Sequence, residues 1–225
     1  MKVTLDSRPD ISSQDIWLSR LKTIFIEKVN TDISRDGCLD LLKWIKKSDF
    51  FTCPASSRFH SNFLGGLCYH TLAVYSCLNR LIKAHSLEKS FSAETIAIVS
   101  LFHDLCKVNT YEVSYRNVKN EETGKWEKKP YWSVNDIVPI GHGEKSVSII
   151  QSFMHLSIEE ILAIRWHMLW SWDSPSNPSI NSALLTSPLV VLMANADHEA
   201  SILYEYDEKK HFPTMSLEFE TSSNF

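Results

Sequence analysis

The sequence predicts an all-α fold, a helical bundle with one inserted β-hairpin. Three observations lead to this prediction. Apolar residues recur at three- and four-residue steps along most of the chain, polar–apolar alternation marks a single stretch, and no internal repeat is present. The 225 residues, 44% of them hydrophobic, have the length and apolar fraction of one globular domain.

The segment before the hairpin is predicted to contain four helices. The first begins at Ser12 and shows a stripe that includes Leu21, Phe25 and Val29. The other three are expected over about 37–47, 66–85 and 92–107, with Ser92 as a candidate N-cap. Residues 1–11 show no periodicity, so a loose arm is expected there.

Residues 111–134 predict the hairpin. Aromatic and β-branched residues alternate with polar ones over 111–119, Glu122-Thr123-Gly124 predicts a turn, and 125–134 predict the returning strand. The aromatic and basic residues could stack on bases, but four glutamates nearly cancel the charge. An ordinary hairpin, a lid or an oligomer contact is the alternative.

Two helices and then a loop follow the hairpin, before a final helix. Helices are expected over about 143–154 and 157–169, the second starting with a capping box at Ser157. Polar residues and prolines predict a loop over 170–182. Ser187-Pro188 predicts the start of a last helix, which ends near Tyr204. The expected organisation is N-terminal helices (1–57), a core domain (58–209) and a flexible tail (210–225).

Charge and cysteine content restrict the class of protein. A net charge of −4 argues against nucleic-acid binding through bulk charge, although a local basic patch remains possible. The five cysteines are odd in number and form no Cys-x-x-Cys pair, which favours free thiols over disulfides or a zinc knuckle. With no apolar run behind Lys2 and no membrane-spanning stretch, we expect a cytoplasmic protein with no membrane partner.

The candidate metal ligands are histidines and aspartates that follow or interrupt apolar helical runs. They are His70, His103, Asp104, His142, His167 and Asp197. A single helical histidine is most often a surface or hydrogen-bonded residue. His103-Asp104, which follows the apolar run 96–102, and Asp197, which follows 189–196, are harder to explain. A polar or charged side chain buried without a partner costs several kcal/mol. A metal ion held between packed helices would satisfy them together.

These residues, in this order, resemble the ligand pattern of the HD-domain metal-dependent phosphohydrolase superfamily. Its four-ligand pattern corresponds to His70, His103-Asp104 and Asp197, and its two-metal branch adds the positions of His142 and His167. The further match His103-Asp104-Leu105-Cys106-Lys107 includes the lysine frequent in the family. Residues 58–71, with a glycine pair, resemble the HD domain of certain bacterial 3′–5′ exoribonucleases, although we expect no room here for their nucleic-acid-binding barrel.

The resemblance implies a centre of two divalent ions, of Mn, Mg, Fe, Ni or Zn. Asp104 would bridge them, His70, His103 and Asp197 would complete one shell, and His142 and His167 would hold the second ion. Such a pair activates water for attack on a phosphoester. Asp104 and Lys107 are therefore the candidate catalytic residues, with Lys107 placed to stabilise phosphate charge. The alternative for Lys107 is an exposed lysine at a helix end.

The activity implied is hydrolysis of a phosphoester in a nucleotide or short nucleic acid. Arg58, His60 and Lys145 are candidate substrate contacts, each with the alternative of an ordinary solvated residue. A small nucleotide is the expected partner rather than a long nucleic acid, and the oligomeric state is left open. Two other functions remain: a mixed-valent di-iron oxygenase built on the same six ligands, and a non-catalytic ligand-binding module.

Overall fold

The computed structural model describes residues 2–7, 11–169, 178–205 and 210–221. These residues form a mostly helical fold with two small antiparallel sheets, so the fold is not strictly all-α. The helices are α1 (Gln14–Asp32), α2 (Cys38–Lys47), α3 (Gly66–Ala84), α4 (Ala93–Phe102), α5 (His142–Gln151), α6 (Ile158–Arg165), α7 (Pro178–Thr186) and α8 (Pro188–Glu199). The strands are β1 (Lys2–Leu5), β2 (Tyr111–Lys119), β3 (Trp126–Val134) and β4 (Leu217–Glu220).

Helix α3 lies at the centre of the fold. It is apolar over most of its circumference and packs against α4 and α8, while α6 packs against α8 and α5. A helix that is apolar on nearly all sides must be covered by other elements. The main hydrophobic core includes residues of α1 and α2 as well as α3, α4 and α8. A smaller cluster, which includes Trp166, Ile180 and Val190, joins α7 to α8.

Three predicted helix starts are confirmed, with their capping contacts. The Ser92 hydroxyl accepts a hydrogen bond from the Thr95 amide at the start of α4. Ser157 and Glu160 form the reciprocal capping box of α6, and Ser187 caps α8 ahead of Pro188. Each cap satisfies an amide that the first helical turn leaves without a partner.

Four predicted helices end earlier than expected, and the ends of α4 and α6 position residues of the candidate site. Helix α4 ends at Phe102 rather than near residue 107, and a 3₁₀ turn, Leu105–Lys107, follows it. Helix α6 ends at Arg165 rather than near residue 169, and α5 spans His142–Gln151. Helix α8 ends at Glu199 and continues as a π-helical turn, Ala200–Tyr204.

The chain ends also differ from the prediction. The loose arm expected over 1–11 contains β1, and the flexible tail expected after 209 contains β4; the two pair in an antiparallel arrangement. Val3 lies opposite Phe219 and Leu5 opposite Leu217, and all four side chains are buried. Neither four-residue strand is stable by itself, because a strand needs a partner and an apolar surface to cover.

The predicted hairpin is confirmed as β2 and β3. Tyr111 lies opposite Val134 and Lys119 opposite Trp126, so nine residues pair on each side. The loop expected over 170–182 is helical from residue 178, where α7 begins, and its other residues, 170–177, lie outside the described part of the chain.

All five cysteines are free and buried, as their number and spacing predict. Among the described residues no single helix is long and apolar enough to cross a membrane. The pair Pro178–Thr186 and Pro188–Tyr204 reaches that length and apolarity only together, with a bend of 106° between them.

Candidate metal centre

The six sequence-predicted ligands converge around the carboxylate of Asp104, which is buried. Five helices and the segments at their ends supply them: α3 holds His70, the end of α4 holds His103 and Asp104, α5 begins with His142, the end of α6 holds His167, and α8 holds Asp197. The four histidine rings form a chain of neighbours, with centroids 5.1 Å, 4.7 Å and 5.2 Å apart in the order His70, His103, His167, His142. Residues far apart in sequence thus form one cluster.

The two oxygens of Asp104 divide the histidines into two pairs. Oδ2 lies 3.2 Å from Nε2 of His70 and 3.5 Å from Nε2 of His103. Oδ1 lies 2.7 Å from Nε2 of His142 and 3.4 Å from Nε2 of His167. The carboxylate therefore has one pair of imidazole nitrogens beside each oxygen.

Asp197 joins the first of these pairs. Its Oδ1 lies 3.1 Å from Nε2 of His70 and 3.7 Å from Nε2 of His103. Asp197 is on α8, and the packing of α8 against α3 brings its carboxylate to His70. The pair beside Oδ2 thus has a second carboxylate, and no such carboxylate accompanies the pair beside Oδ1 among the described residues.

His103 and His167 lie just past the ends of their helices, not within them as predicted, and for the same reason. Nδ1 of His103 lies 2.8 Å from the Ser100 carbonyl, and Nδ1 of His167 lies 2.6 Å from the Ile164 carbonyl. Each ring satisfies a carbonyl that the last helical turn leaves open. A carbonyl only accepts hydrogen bonds, so each Nδ1 bears the hydrogen and each Nε2 presents a lone pair to Asp104.

The other two histidines are held by side chains that sequence reasoning did not select as a site. Nδ1 of His70 lies 2.6 Å from Oε1 of Glu205, and Nδ1 of His142 lies 3.4 Å from Sγ of Cys106. Every one of the four rings therefore has its Nδ1 engaged and its Nε2 directed at the cluster. This arrangement is the outer-shell support typical of metal-ligating histidines.

The donor set fits a divalent cation. Nε2 of His70 lies 3.1 Å from Nε2 of His103, and in neutral imidazoles with the hydrogen on Nδ1 both of these Nε2 atoms bear lone pairs. Nε2 of His167 is buried and has no hydrogen-bond partner among the described residues. Lone pairs and carboxylate oxygens this close repel one another unless a proton or a cation lies among them, and imidazole nitrogen with carboxylate oxygen suits Zn, Mn, Fe or Ni.

The negative charge of the cluster also favours a bound cation. With neutral histidines, Asp104, Asp197 and Glu205 bring three negative charges into the cluster, of which Lys107 pairs with that of Asp104. Buried charge without compensation costs several kcal/mol, so protons or cations must enter the cluster. In the metal-free protein the surrounding carboxylates favour the protonated form of His70. Burial alone would lower the pKa of His70, but Glu205, Asp104 and Asp197 raise it well above its usual value.

The remaining pKa shifts follow from the same competition. Burial alone would raise the pKa of Asp104, but Lys107 and His103 hold it well below its usual value, and His103 and His70 do the same for Asp197. Burial lowers the pKa of His167. For His142 the effect of burial is outweighed by Cys106 and Asp104, which raise its pKa to about 10.

Lys107 is mostly buried and pairs with the central carboxylate. Its Nζ lies 2.6 Å from Oδ2 of Asp104, and its side chain is 14% exposed. The 3₁₀ turn after Asp104 brings the two side chains together at a spacing of three residues. Lys107 is therefore not an exposed lysine at a helix end.

The loop before α3 brings His60 to the rim of the cluster. Nε2 of His60 lies 3.9 Å from Oε2 of Glu205, and its ring centroid is 5.7 Å from that of His70. Arg58, in the same loop, is exposed. The His60 side chain is 28% exposed, and burial lowers its pKa.

The glycine pair at the start of α3 fixes this loop. Gly65 has φ of +82°, which a side chain would strain. A Cβ on Gly66 would lie 2.0 Å from the Ser61 carbonyl oxygen, which in turn accepts a hydrogen bond from the Ala55 amide. The pair thus lets the loop that bears His60 pack against the first turn of the helix that bears His70.

Lys145, the third candidate substrate contact, has a partner in the protein. Its Nζ donates to Oδ1 of Asp136 at 2.6 Å and lies 3.5 Å from Oγ1 of Thr110. Its charge is compensated in this arrangement, and a role toward substrate stays a prediction.

Comparison with family models, characterised proteins and solved structures finds no match to this chain. The candidate metal centre therefore rests on the residues themselves. Three trios have ligand atoms within 4.8 Å of one another: His70, His103 and Asp104; Asp104, Cys106 and His142; and His60, His70 and Glu205. Glu205 and Cys106 belong to these trios, and no spacing pattern in the sequence indicated either residue.

Proposed function

We propose that this protein is a metal-dependent phosphohydrolase of the HD superfamily, which cleaves a phosphoester of a nucleotide or short nucleic acid. The observation that supports this function best is the division of four histidines by one carboxylate. Asp104 has His70 and His103 beside Oδ2, and His142 and His167 beside Oδ1. A carboxylate with a separate donor set at each oxygen suits a pair of cations rather than one.

The sequence resemblance gives the same grouping independently. The HD pattern assigns His70, His103 and Asp197 to one ion and His142 and His167 to the other, with Asp104 shared. The contacts of Asp197 with His70 and His103, at 3.1 Å and 3.7 Å, agree with that assignment.

In this proposal the six residues hold two divalent ions. When bound, such ions lower the pKa of water and polarise the phosphoryl oxygens. The reaction adds water across a P–O bond and releases a phosphate group and an alcohol, so no serine or cysteine nucleophile is needed. The buried thiols of the chain are consistent with that absence of a nucleophilic role.

The chain's own side chains have three tasks. The Nδ1 contacts with the Ser100 and Ile164 carbonyls and with Glu205 leave Nε2 of three rings for the cluster, and the contact with Cys106 orients the ring of His142. Lys107 supplies a positive charge beside Asp104 that stabilises negative charge on the phosphoryl group. His60, at the rim, and Arg58, exposed in the same loop, are the proposed contacts for the rest of the substrate.

A panel of nucleoside mono-, di- and triphosphates, cyclic dinucleotides and short oligonucleotides tests the proposal. The protein is loaded separately with Mn²⁺, Fe²⁺, Ni²⁺ and Zn²⁺, and release of phosphate or nucleoside is measured. We expect turnover of at least one nucleotide with at least one metal, and none in Asp104→Asn. His85→Gln, which changes an exposed histidine, is the matched control and retains full activity.

Two results would contradict the proposal. The first is a metal-loaded protein that releases no product from any substrate in the panel. The second is an iron-loaded protein with a mixed-valent electron paramagnetic resonance signal and oxygen consumption but no hydrolysis, which would identify the oxygenase instead.

A further inference from the structure

Glu205 is a buried glutamate that the structure holds in place from several directions. It follows the π-helical turn Ala200–Tyr204, and its carboxylate is fully buried. Its amide donates to the Ala200 carbonyl, and its own carbonyl accepts from Nζ of Lys210. The preceding carbonyl, of Tyr204, accepts a hydrogen bond from the Tyr69 hydroxyl. The backbone around Glu205 is therefore anchored independently of its side chain.

One oxygen of Glu205 determines how His70 is presented. Oε1 lies 2.6 Å from Nδ1 of His70, and a carboxylate accepts the hydrogen of that nitrogen. In the neutral imidazole that a metal requires, Nε2 of the same ring then presents its lone pair toward Asp104 and Asp197. The bond sets both the tautomer and the orientation of His70.

His70 differs from the other three histidines in the charge of its support. His103 and His167 are held by neutral backbone carbonyls, and Nδ1 of His142 faces Sγ of Cys106. Only His70, among these four, is held by a carboxylate. A carboxylate behind a histidine raises the basicity of the opposite nitrogen, and removal of such a partner weakens metal binding about 10- to 100-fold.

The second oxygen of Glu205 points toward the loop at the rim. Oε2 is buried and lies 3.9 Å from Nε2 of His60, and the buried Ser61 hydroxyl also acts on this carboxylate and lowers its pKa. An approach of about 1 Å would form a hydrogen bond between Oε2 and Nε2 of His60. Glu205 therefore lies between a candidate ligand and a candidate substrate contact.

We propose that Glu205 is a positioning residue of the metal centre, which fixes the tautomer and orientation of His70 through Oε1. This inference rests on the proposed metal-dependent function and adds to it a residue outside the six-ligand set. The C-terminal segment after α8 thereby becomes part of the site.

The test is a titration with Co²⁺ alone, followed by visible absorption, on the full-length chain. We expect Glu205→Gln, whose amide oxygen still accepts from Nδ1, to bind Co²⁺ about 10- to 100-fold more weakly than the wild type. Glu205→Leu, which removes the acceptor, should bind more weakly still. Glu199→Gln is the matched control, because Glu199 pairs with Arg80 at the surface of α8, and it should bind within about twofold of the wild type.

A second readout separates positioning from general support of the fold. In Zn²⁺-loaded protein, the Nδ1 hydrogen of His70 should give a downfield proton resonance. It should shift in Glu205→Gln and disappear in Glu205→Leu, and the helical circular dichroism of Glu205→Gln should remain that of the wild type.

The outcomes distinguish the two proposals. Wild-type affinity and an unshifted resonance in Glu205→Gln would overturn the role of Glu205 alone, as would an equal loss of affinity in Glu199→Gln. A wild-type protein that takes up no Co²⁺ would overturn the proposed function and this inference together.

Discussion

Lys107 Nζ lies 2.6 Å from Oδ2 of Asp104, the oxygen that also faces His70 and His103. The central carboxylate of the site is therefore in contact with a permanent positive charge. Burial alone would lower the pKa of Lys107, but Asp104 raises it well above its usual value, so the lysine stays charged throughout the physiological range. In the proposed phosphohydrolase, this fixed charge would stabilise negative charge that develops on the phosphoryl group.

Lys107→Gln is expected to lower kcat by about 10²- to 10³-fold, because one preorganised charge is lost where charge develops. Its metal content should remain that of the wild type, since Lys107 is not a ligand. Steady-state kinetics together with metal analysis checks this, with Lys125→Gln at the exposed hairpin turn as the control. A wild-type kcat in Lys107→Gln would contradict the catalytic role and would leave Lys107 only the role of compensating the charge of Asp104.

Stabilisation by metal is expected to increase with pH. In the metal-free protein the raised pKa of His70 means that its protonation stabilises the fold fully below about pH 6.5, and that this contribution is lost as the pH rises through the folded-state value. A metal requires neutral imidazoles and must displace those protons. The difference in Tm between Mn²⁺-loaded and chelator-treated protein should therefore grow from pH 6 to pH 8.

The contribution of Glu205 to stability depends on pH in the opposite direction from that of His70. The pKa of Glu205 is lowered to about 2, because His70 and His60 outweigh the effect of burial. Its contribution to the stability of the metal-free protein is present above its usual pKa of 4.5 and is lost as the pH falls toward 2.

For the metal-dependent stabilisation, a Tm difference between Mn²⁺-loaded and chelator-treated protein that is independent of pH between 6 and 8 would argue against proton displacement from the cluster.

Gly66→Ala should destabilise the protein by about 1–3 kcal/mol, because the new Cβ would lie 2.0 Å from the Ser61 carbonyl oxygen and must displace the loop. The same displacement moves His60, so KM for the substrate should rise. Urea unfolding and kinetics measure the two effects. Gly124→Ala, at the hairpin turn with open space around the new Cβ but a positive φ, should lower stability without a change in KM.

Arg35→Ala should destabilise the protein by about 3 kcal/mol, because it leaves the buried carboxylate of Glu160 without its cation. Arg35 contacts both oxygens of Glu160, at 2.5 Å and 2.9 Å, and also Glu94, and so ties the α1–α2 connection to α4 and α6. Urea unfolding checks this. Lys43→Ala, which breaks an exposed pair with Asp40, should cost less than about 0.5 kcal/mol, and an equal loss in both variants would contradict the argument.

The local features of the fold were predictable because their signals are local. The caps at Ser92, Ser157 and Ser187 depend on residues a few positions away, and the hairpin depends on alternation within 111–134. The pairing of β1 with β4 was not predictable from pattern. It joins residues more than 200 positions apart, and only their burial against the common core makes it stable.

The site divides in the same way. The six candidate ligands were identifiable from order and spacing, because polar residues such as Asp197 follow apolar runs. The ends of α4 and α6 could not be identified from the sequence. They lie before His103 and His167 because each of these rings bonds the carbonyl three residues earlier. Glu205 gave no signal, because only the packing of the segment after α8 against α3 brings it to His70.

The metal content of the purified protein tests the central claim most directly. Inductively coupled plasma mass spectrometry after loading and desalting should find about two divalent ions per chain in the wild type and in His85→Gln. His167→Gln should retain about one, because it alters only the pair beside Oδ1 of Asp104, and Asp104→Asn should retain almost none. A wild-type protein without bound metal, or an Asp104→Asn variant with as much as the wild type, would contradict the account.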